Sequence, residues 1–256
     1  MKQFVFIDES GNSDFYGKRN RPLWESANFV PYLLIGLVVI QDRKIIRRTV
    51  DSFISNIKGD DLYNEISTVS HEDWMPHASK DHPEVRVKFI ELLRTIRGVE
   101  FYAAIARKNP ERFRSKHNNN AKEFYFDALH KLLAETSLEA YNDCQLYLAR
   151  IQSNTISEFR DAVKKSFELS SDDEYKDFKC DVVKAKEYPE MCVVDYYLWA
   201  LQRYISKGER RFLTSLEKNC KVIYDIYDTY ADDPKYFYPN NRFYLEKASN
   251  YDDLRI

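Results

Sequence analysis

Phe4-Val5-Phe6-Ile7-Asp8-Glu9-Ser10-Gly11 is the stretch on which the fold turns. A run of large apolar residues that halts at adjacent carboxylates and then Ser-Gly describes a strand buried on both sides, opening onto a turn where glycine permits positive φ. Side chains alternate along a strand, so Asp8 shares a face with Phe4 and Phe6, and Glu9 shares the other with Val5 and Ile7. One acid must therefore point where hydrophobic residues point. An ionised group beside an apolar core is costly unless it is hydrogen-bonded, paired or bound to a metal. The plain alternative is a strand end entering an ordinary turn, with Asp8 accepting backbone N–H bonds.

The 256 residues are 44% hydrophobic and 15% aromatic, enough to bury a substantial core as one large domain. With 39 basic and 41 acidic residues the net charge is -2, which argues against a globally basic surface and leaves room for a local basic groove. No apolar run approaches the ~20 residues that span a bilayer. The N-terminus lacks a charged leader followed by an apolar stretch and a cleavage site, so a cytoplasmic chain is expected. Cys144, Cys180, Cys192 and Cys220 have no CxxC spacing, which speaks against zinc or thioredoxin-type chemistry and for reduced, buried thiols.

Outward from the first strand, Val30 to Ile40 reads as its hairpin partner. Asp42 is placed to cap a helix that buries Ile46, Val50, Phe53, Ile54 and Ile57 and ends at Gly59. Residues 60–80 have no clean period and predict a long loop with some strand. Asp81-His82-Pro83-Glu84 reads as a capping box in which Asp81 caps the next helix. Val99 to Arg107 alternates as a strand, and a basic polar loop follows. Helices are expected over about 121–133 and about 155–167, strands at 146–150, 178–184 and 222–227, and an acidic surface loop at 170–177. The clearest helical period lies at about 190–206, set by Val194, Tyr197, Leu198, Leu201, Tyr204 and Ile205, with Asp195 at the edge of the stripe. An aromatic extension starts at about 230. This succession gives an α/β fold, a mixed sheet flanked by helices with its N-terminal strand central.

Asp8 and Asp195 come from distant elements that can meet at one sheet edge. Carboxylates converging in that way suit Mg2+ or Mn2+, hard cations that retain waters and can activate one against a phosphodiester. The plain alternative for Asp195 is a solvated acid near a helix N-terminus. His77 has a reference pKa near neutrality and suits proton transfer or phosphate orientation, although a loop histidine without catalytic duty is the commoner case. Arg107, Lys108, Arg112, Arg114, Lys116 and Lys122 form the densest basic segment, and Arg203 belongs to a second group; such cations hold phosphate backbones without reading sequence, or simply face solvent. No P-loop, serine elbow or HExxH is present.

The opening FVFIDESG, the stretch HASKDHPEVR, the strand YAAIARK and the segment YPEMCVVDYYLWALQRY together resemble the prokaryotic domain-of-unknown-function 3800 family, which is similar to the ribonuclease H-like fold. The resemblance runs from residue 3 to about 230. It implies a ribonuclease H-like mixed sheet with helices on both faces, Asp8 and Asp195 as metal ligands, and two-metal phosphodiester hydrolysis in phage-defence or mobile-element settings. The sequence departs from the nuclease pattern where Met75-Pro76-His77 stands in place of a Glu and Leu146 to Arg150 carries no Asp. Glu9, Glu65, Asp81 or Asp225 is left to supply a third acid. The expectation is a Mg2+- or Mn2+-dependent nuclease with Asp8, Glu9, His77 and Asp195 at its centre. The alternative is a catalytically degenerate module that binds nucleic acid or a partner protein.

Overall fold

β1 (Gln3–Ser10) lies inside the sheet, antiparallel to β2 (Tyr32–Ile40) on one side and parallel to β4 (Asp143–Ala149) on the other. That position is what the Phe4–Ile7 run demands, since both faces of an interior strand are covered. The computed structural model describes residues 2–136, 138, 143–150, 155–168, 177–228, 234–248 and 250. Adding β3 (Val99–Arg107), β5 (Asp177–Val183), β6 (Cys220–Ile226) and β7 (Lys235–Phe237) gives a seven-stranded sheet in the order β5-β4-β1-β2-β3-β6-β7. β2 runs against β1 and β3, while β3 and β6 are parallel, so β1, β3, β4 and β6 all end at the same edge of the sheet.

Helices cover both faces, as expected for this α/β class. Phe6, Val38, Phe101 and Ile105 face α1 (Arg43–Gly59), α2 (Pro83–Thr95), α6 (Met191–Lys207) and α7 (Arg210–Leu216). Val5, Ile7, Ile35 and Leu37 face α3 (Pro110–His117), α4 (Ala121–Ala134) and α5 (Ile156–Glu168). Several local signals act as their chemistry requires. Asp42 accepts the Ile45 amide at 3.0 Å and caps α1. Thr155 and Glu158 form a reciprocal box, with the Glu158 amide on Thr155 Oγ1 at 3.3 Å and the Thr155 amide on Glu158 Oε2 at 3.0 Å. Gly11 has φ +96°, the left-handed conformation that the turn after β1 needs. All four cysteines are buried.

Three expectations are corrected. Asp81 does not cap α2. The cap is His82, directly before Pro83, whose Nδ1 accepts the Glu84 amide at 3.4 Å, while Asp81 turns into the protein. Residues 60–80 hold no strand but a succession of turns pinned by buried Tyr63, Val69 and Trp74. The basic stretch after Arg107 is helical in its middle, because Asn109 accepts the Arg112 amide at 2.9 Å and Pro110 opens α3. Residues 170–176 of the acidic loop lie outside the described residues. After position 230, β7 pairs with β6, and Tyr236 and Phe243 pack into the core. Among the described residues no helix is long and apolar enough to cross a membrane.

Candidate metal centre

Asp8 is half-buried at the carboxyl end of β1 and faces α6, on the side of the sheet where Phe4 and Phe6 lie. Opposite it in the β1–β2 register stands Gly36. A Cβ there would come within 2.7 Å of Leu198 Cδ2, 2.8 Å of Leu198 Cγ and 3.1 Å of the Phe101 ring, so α6 rests on the bare backbone of β2. Leu198 is nearly one turn along from Asp195. The close approach that glycine allows is therefore what carries Asp195 to Asp8. The start of α6 is fixed as well. Glu190 is fully buried and accepts Arg43 Nε at 2.8 Å and Arg47 Nε and Nη2 at 3.1 Å each. Arg43 also donates to the Tyr147 hydroxyl at 2.8 Å, its guanidinium 4.9 Å from the Tyr147 ring centre and 5.3 Å from that of Tyr188.

The third element is the segment from Trp74 to Asp81. Asp81, 3% exposed, accepts Trp74 Nε1 at 3.0 Å, the His77 amide at 2.8 Å and the Tyr196 hydroxyl at 2.5 Å. Arg86 donates to the carbonyls of Ala78 at 2.6 Å and Asp81 at 2.7 Å while its guanidinium sits 4.6 Å from a Trp199 ring centre. The segment is thus fastened to α6 through Tyr196 and Trp199, and this places the Ala78 amide 2.7 Å from Asp195 Oδ2 and His77 Nδ1 3.4 Å from the same oxygen. Asp8, Asp195, His77, Asp81 and Cys192 line one cavity of about 380 Å³, with Lys80 and the Lys186–Asp73 ion pair (2.6 Å) among its other walls.

The electrostatics follow from this crowding. Burial and then the charge of Asp195 push the Asp8 carboxyl up to about 7, against the pull of the Glu9 amide, which it accepts at 2.9 Å, and of His77. Hydrogen bonding to Asp195 raises the His77 imidazole above its ordinary value, with burial opposing. Glu9 projects from the opposite face of the sheet. Burial, then Asp8, lifts it to about 8, with the Tyr125 hydroxyl acting the other way, and its Oε2 is buried without a hydrogen-bond partner. Strand alternation thus separates Glu9 from the cavity that Asp8 and Asp195 share. Asp225 is held by a buried Arg107 at 2.8 and 2.7 Å, and Glu65 is exposed. Among the described residues no three His, Cys, Asp or Glu side chains are gathered to hold a metal.

None of the cations singled out in the sequence lines the Asp8–Asp195 cavity. Lys108 is 1% exposed and turned inward, donating to Asn12 Oδ1 at 2.9 Å and the Asp14 carbonyl at 3.3 Å; burial lowers its pKa to about 8. A phosphate on the surface is out of its reach. Lys116 pairs with Asp127 at 2.8 Å, Lys122 with Glu158 at 3.0 Å, and Arg203 with Glu209 through two bonds of 3.0 and 2.5 Å. Arg112 lies over Tyr227, and Arg114 is exposed. Sequence reasoning missed Asp81, Tyr196 and Arg86 as the fastening of the site and Gly36 as its spacer. Pro83 was the available signal, since a proline at the first helical position makes His82, not Asp81, the cap.

No family model matches this chain, and no curated protein does. Among solved structures it is similar to a chain of the PCNA:RNase HII complex from Archaeoglobus fulgidus, at 12% identity over 82% of this chain and 78% of that one, with a TM-score of 0.46. It is also similar to Bst-RNase HIII in complex with Mn2+, at 12% identity, a TM-score of 0.37 and 83% coverage of this chain. It spans 65% of that relative's length, just under two thirds.

Proposed function

We propose that this chain is a metal-dependent nuclease of ribonuclease H-like fold that hydrolyses phosphodiester bonds of RNA or DNA, in the phage-defence or mobile-element settings that the family resemblance implies. The observation that carries the reading is that Asp8 from β1 and Asp195 from α6 share one cavity with His77. Two carboxylates repel each other here, and one of them is pushed up to about 7, so a bound cation would hold both ionised. Their hard oxygens fit Mg2+ or Mn2+, which are bound by one or two carboxylates with waters and substrate phosphates completing the shell. The cation would supply charge neutralisation at the phosphate and an activated water.

The protein's own groups divide the remaining work. Asp8 and Asp195 bind. The Ala78 amide fixes one oxygen of Asp195 and leaves the other open to a ligand. His77, whose proton is retained to higher pH by Asp195, would give it to a leaving oxygen. Glu9 has no part in this arrangement as it stands. Arg112 and Arg114 are offered to the backbone of the substrate.

The purified chain with Mg2+ or Mn2+ is expected to cut RNA or DNA, and Asp8→Ala and Asp195→Ala are each expected to abolish cutting without loss of fold. One observation favours a second reading: with only two acids free in the cavity, the two-metal arrangement implied by the resemblance lacks a ligand among the described residues. In that reading the site binds nucleic acid, or a partner protein, and does not cut. Wild-type protein that binds oligonucleotides yet leaves every strand type intact decides for it.

A further inference from the structure

We infer that the cations gathered on Tyr227 form a second, phosphate-binding surface that holds nucleic-acid backbone outside the Asp8–Asp195 cavity; the inference rests on the nucleic-acid reading above and extends it. Tyr227 follows β6 directly and has φ +70°. A non-glycine residue occupies that left-handed region only at a cost in backbone strain, and such strain gathers at functional positions. The surroundings hold it there. The Tyr227 hydroxyl donates to Asp127 Oδ2 and lies 3.2 Å from Nε2 of buried His117.

The ring so placed lies under three cations. Arg112 is 4.5 Å from its centre, Lys116 5.3 Å and Lys131 5.9 Å. One cation over an aromatic ring is an ordinary structural contact. Three on one ring bring like charges together at a half-buried place. Lys131 shows the strain: burial and then Lys116 lower its pKa, Arg112 and Lys235 add to this, and Asp127 opposes. Among the described residues the acids at hand are already engaged, Asp127 with Lys116 at 2.8 Å and Glu135 with Lys235 at 2.6 Å. Arg112, Lys116, Lys131 and Lys235 thus face Asp127 and Glu135, an excess of positive charge that a phosphate backbone would neutralise. Because β1 and β6 end at the same edge of the sheet, the Tyr227 cluster and Asp8 both sit at its carboxyl end, where open α/β sheets take their ligands.

The test is the salt dependence of binding between the full chain and a fluorescein-labelled single-stranded oligonucleotide, with Asp195→Asn introduced throughout to prevent cutting. For single strands, log K falls with log salt by about 0.7 per neutralised phosphate, so Arg112→Gln with Lys131→Gln is expected to flatten the slope by about 1.4. Arg112→Lys with Lys131→Arg is expected to keep it. Equal thermal midpoints show that each variant folds. An unchanged slope in the Gln pair overturns the inference, and so does equally tight binding of poly-glutamate, which would make this a surface for acidic peptides. The nuclease reading fails separately: wild-type protein that binds with the expected slope but never cuts defeats that reading and leaves the surface standing, while cutting with an unchanged slope does the reverse.

Discussion

Gly36 stands directly opposite Asp8 in the β1–β2 ladder, and Leu198 of α6 occupies the space its missing Cβ would take. The carboxylate and the glycine are thus one device: the strand pair offers an acid on β1 and a bare patch on β2, and the helix that settles on the patch brings the second acid.

Gly36→Ala is therefore expected to overpack the α6 contact, at about 1–3 kcal/mol, and to weaken Mn2+ binding by moving Asp195 away from Asp8. Leu198→Ala in the same chain is expected to recover metal affinity, because the two positions share one volume and do not act additively. Urea unfolding and Mn2+ titration of the single and double variants check this. Simple additivity in both measurements would show that the glycine does not set the helix position.

Asp81→Ala strands the Trp74 indole N–H, the His77 amide and the Tyr196 hydroxyl together. Unpartnered buried donors cost about 1–3 kcal/mol each, so with three of them an overall loss of at least about 3 kcal/mol is expected. Asp81→Asn keeps an acceptor and is expected to lose less. Both are expected to lower Mn2+ affinity by about 10–100-fold, the usual effect of removing a group that orients a metal ligand. Metal affinity equal to wild type in a destabilised Asn variant would confine Asp81 to the fold alone.

Lys108 is buried with its pKa depressed to about 8 from 10.5, so above about 8 the folded chain holds fewer protons than the unfolded one. Stability contributed through this group accordingly rises as pH climbs from about 8 to about 10.5, by up to roughly 3 kcal/mol. Relative to wild type, Lys108→Met is expected to lack that rise. Denaturant midpoints of the two proteins across this window measure it, and parallel curves would contradict it.

Much of this architecture was legible in local pattern. The Phe4–Ile7 run, the Asp42 cap and the stripe of α6 each express a periodicity or a hydrogen bond closed within a few residues, and they placed β1 inside the sheet and Asp195 on the right helix. What escaped depended on partners far along the chain. Asp81 resembled a cap because acid, proline and Glu lay in the right order, whereas its donors include Tyr196, over a hundred positions away. Lys108 stood in a basic run and gave no sign that Asn12 would draw it inward. Glu9 adjoined Asp8 in sequence and was grouped with it, although strand alternation alone already sends it to the other face.

The most direct test of the shared cavity is anomalous scattering from crystals of the protein soaked in Mn2+. The expected result is a peak bound by carboxylate oxygens of both Asp8 and Asp195, absent from Asp195→Asn crystals. A map with no peak between the two, from crystals in which the carboxylates are ordered, would contradict the account at its centre.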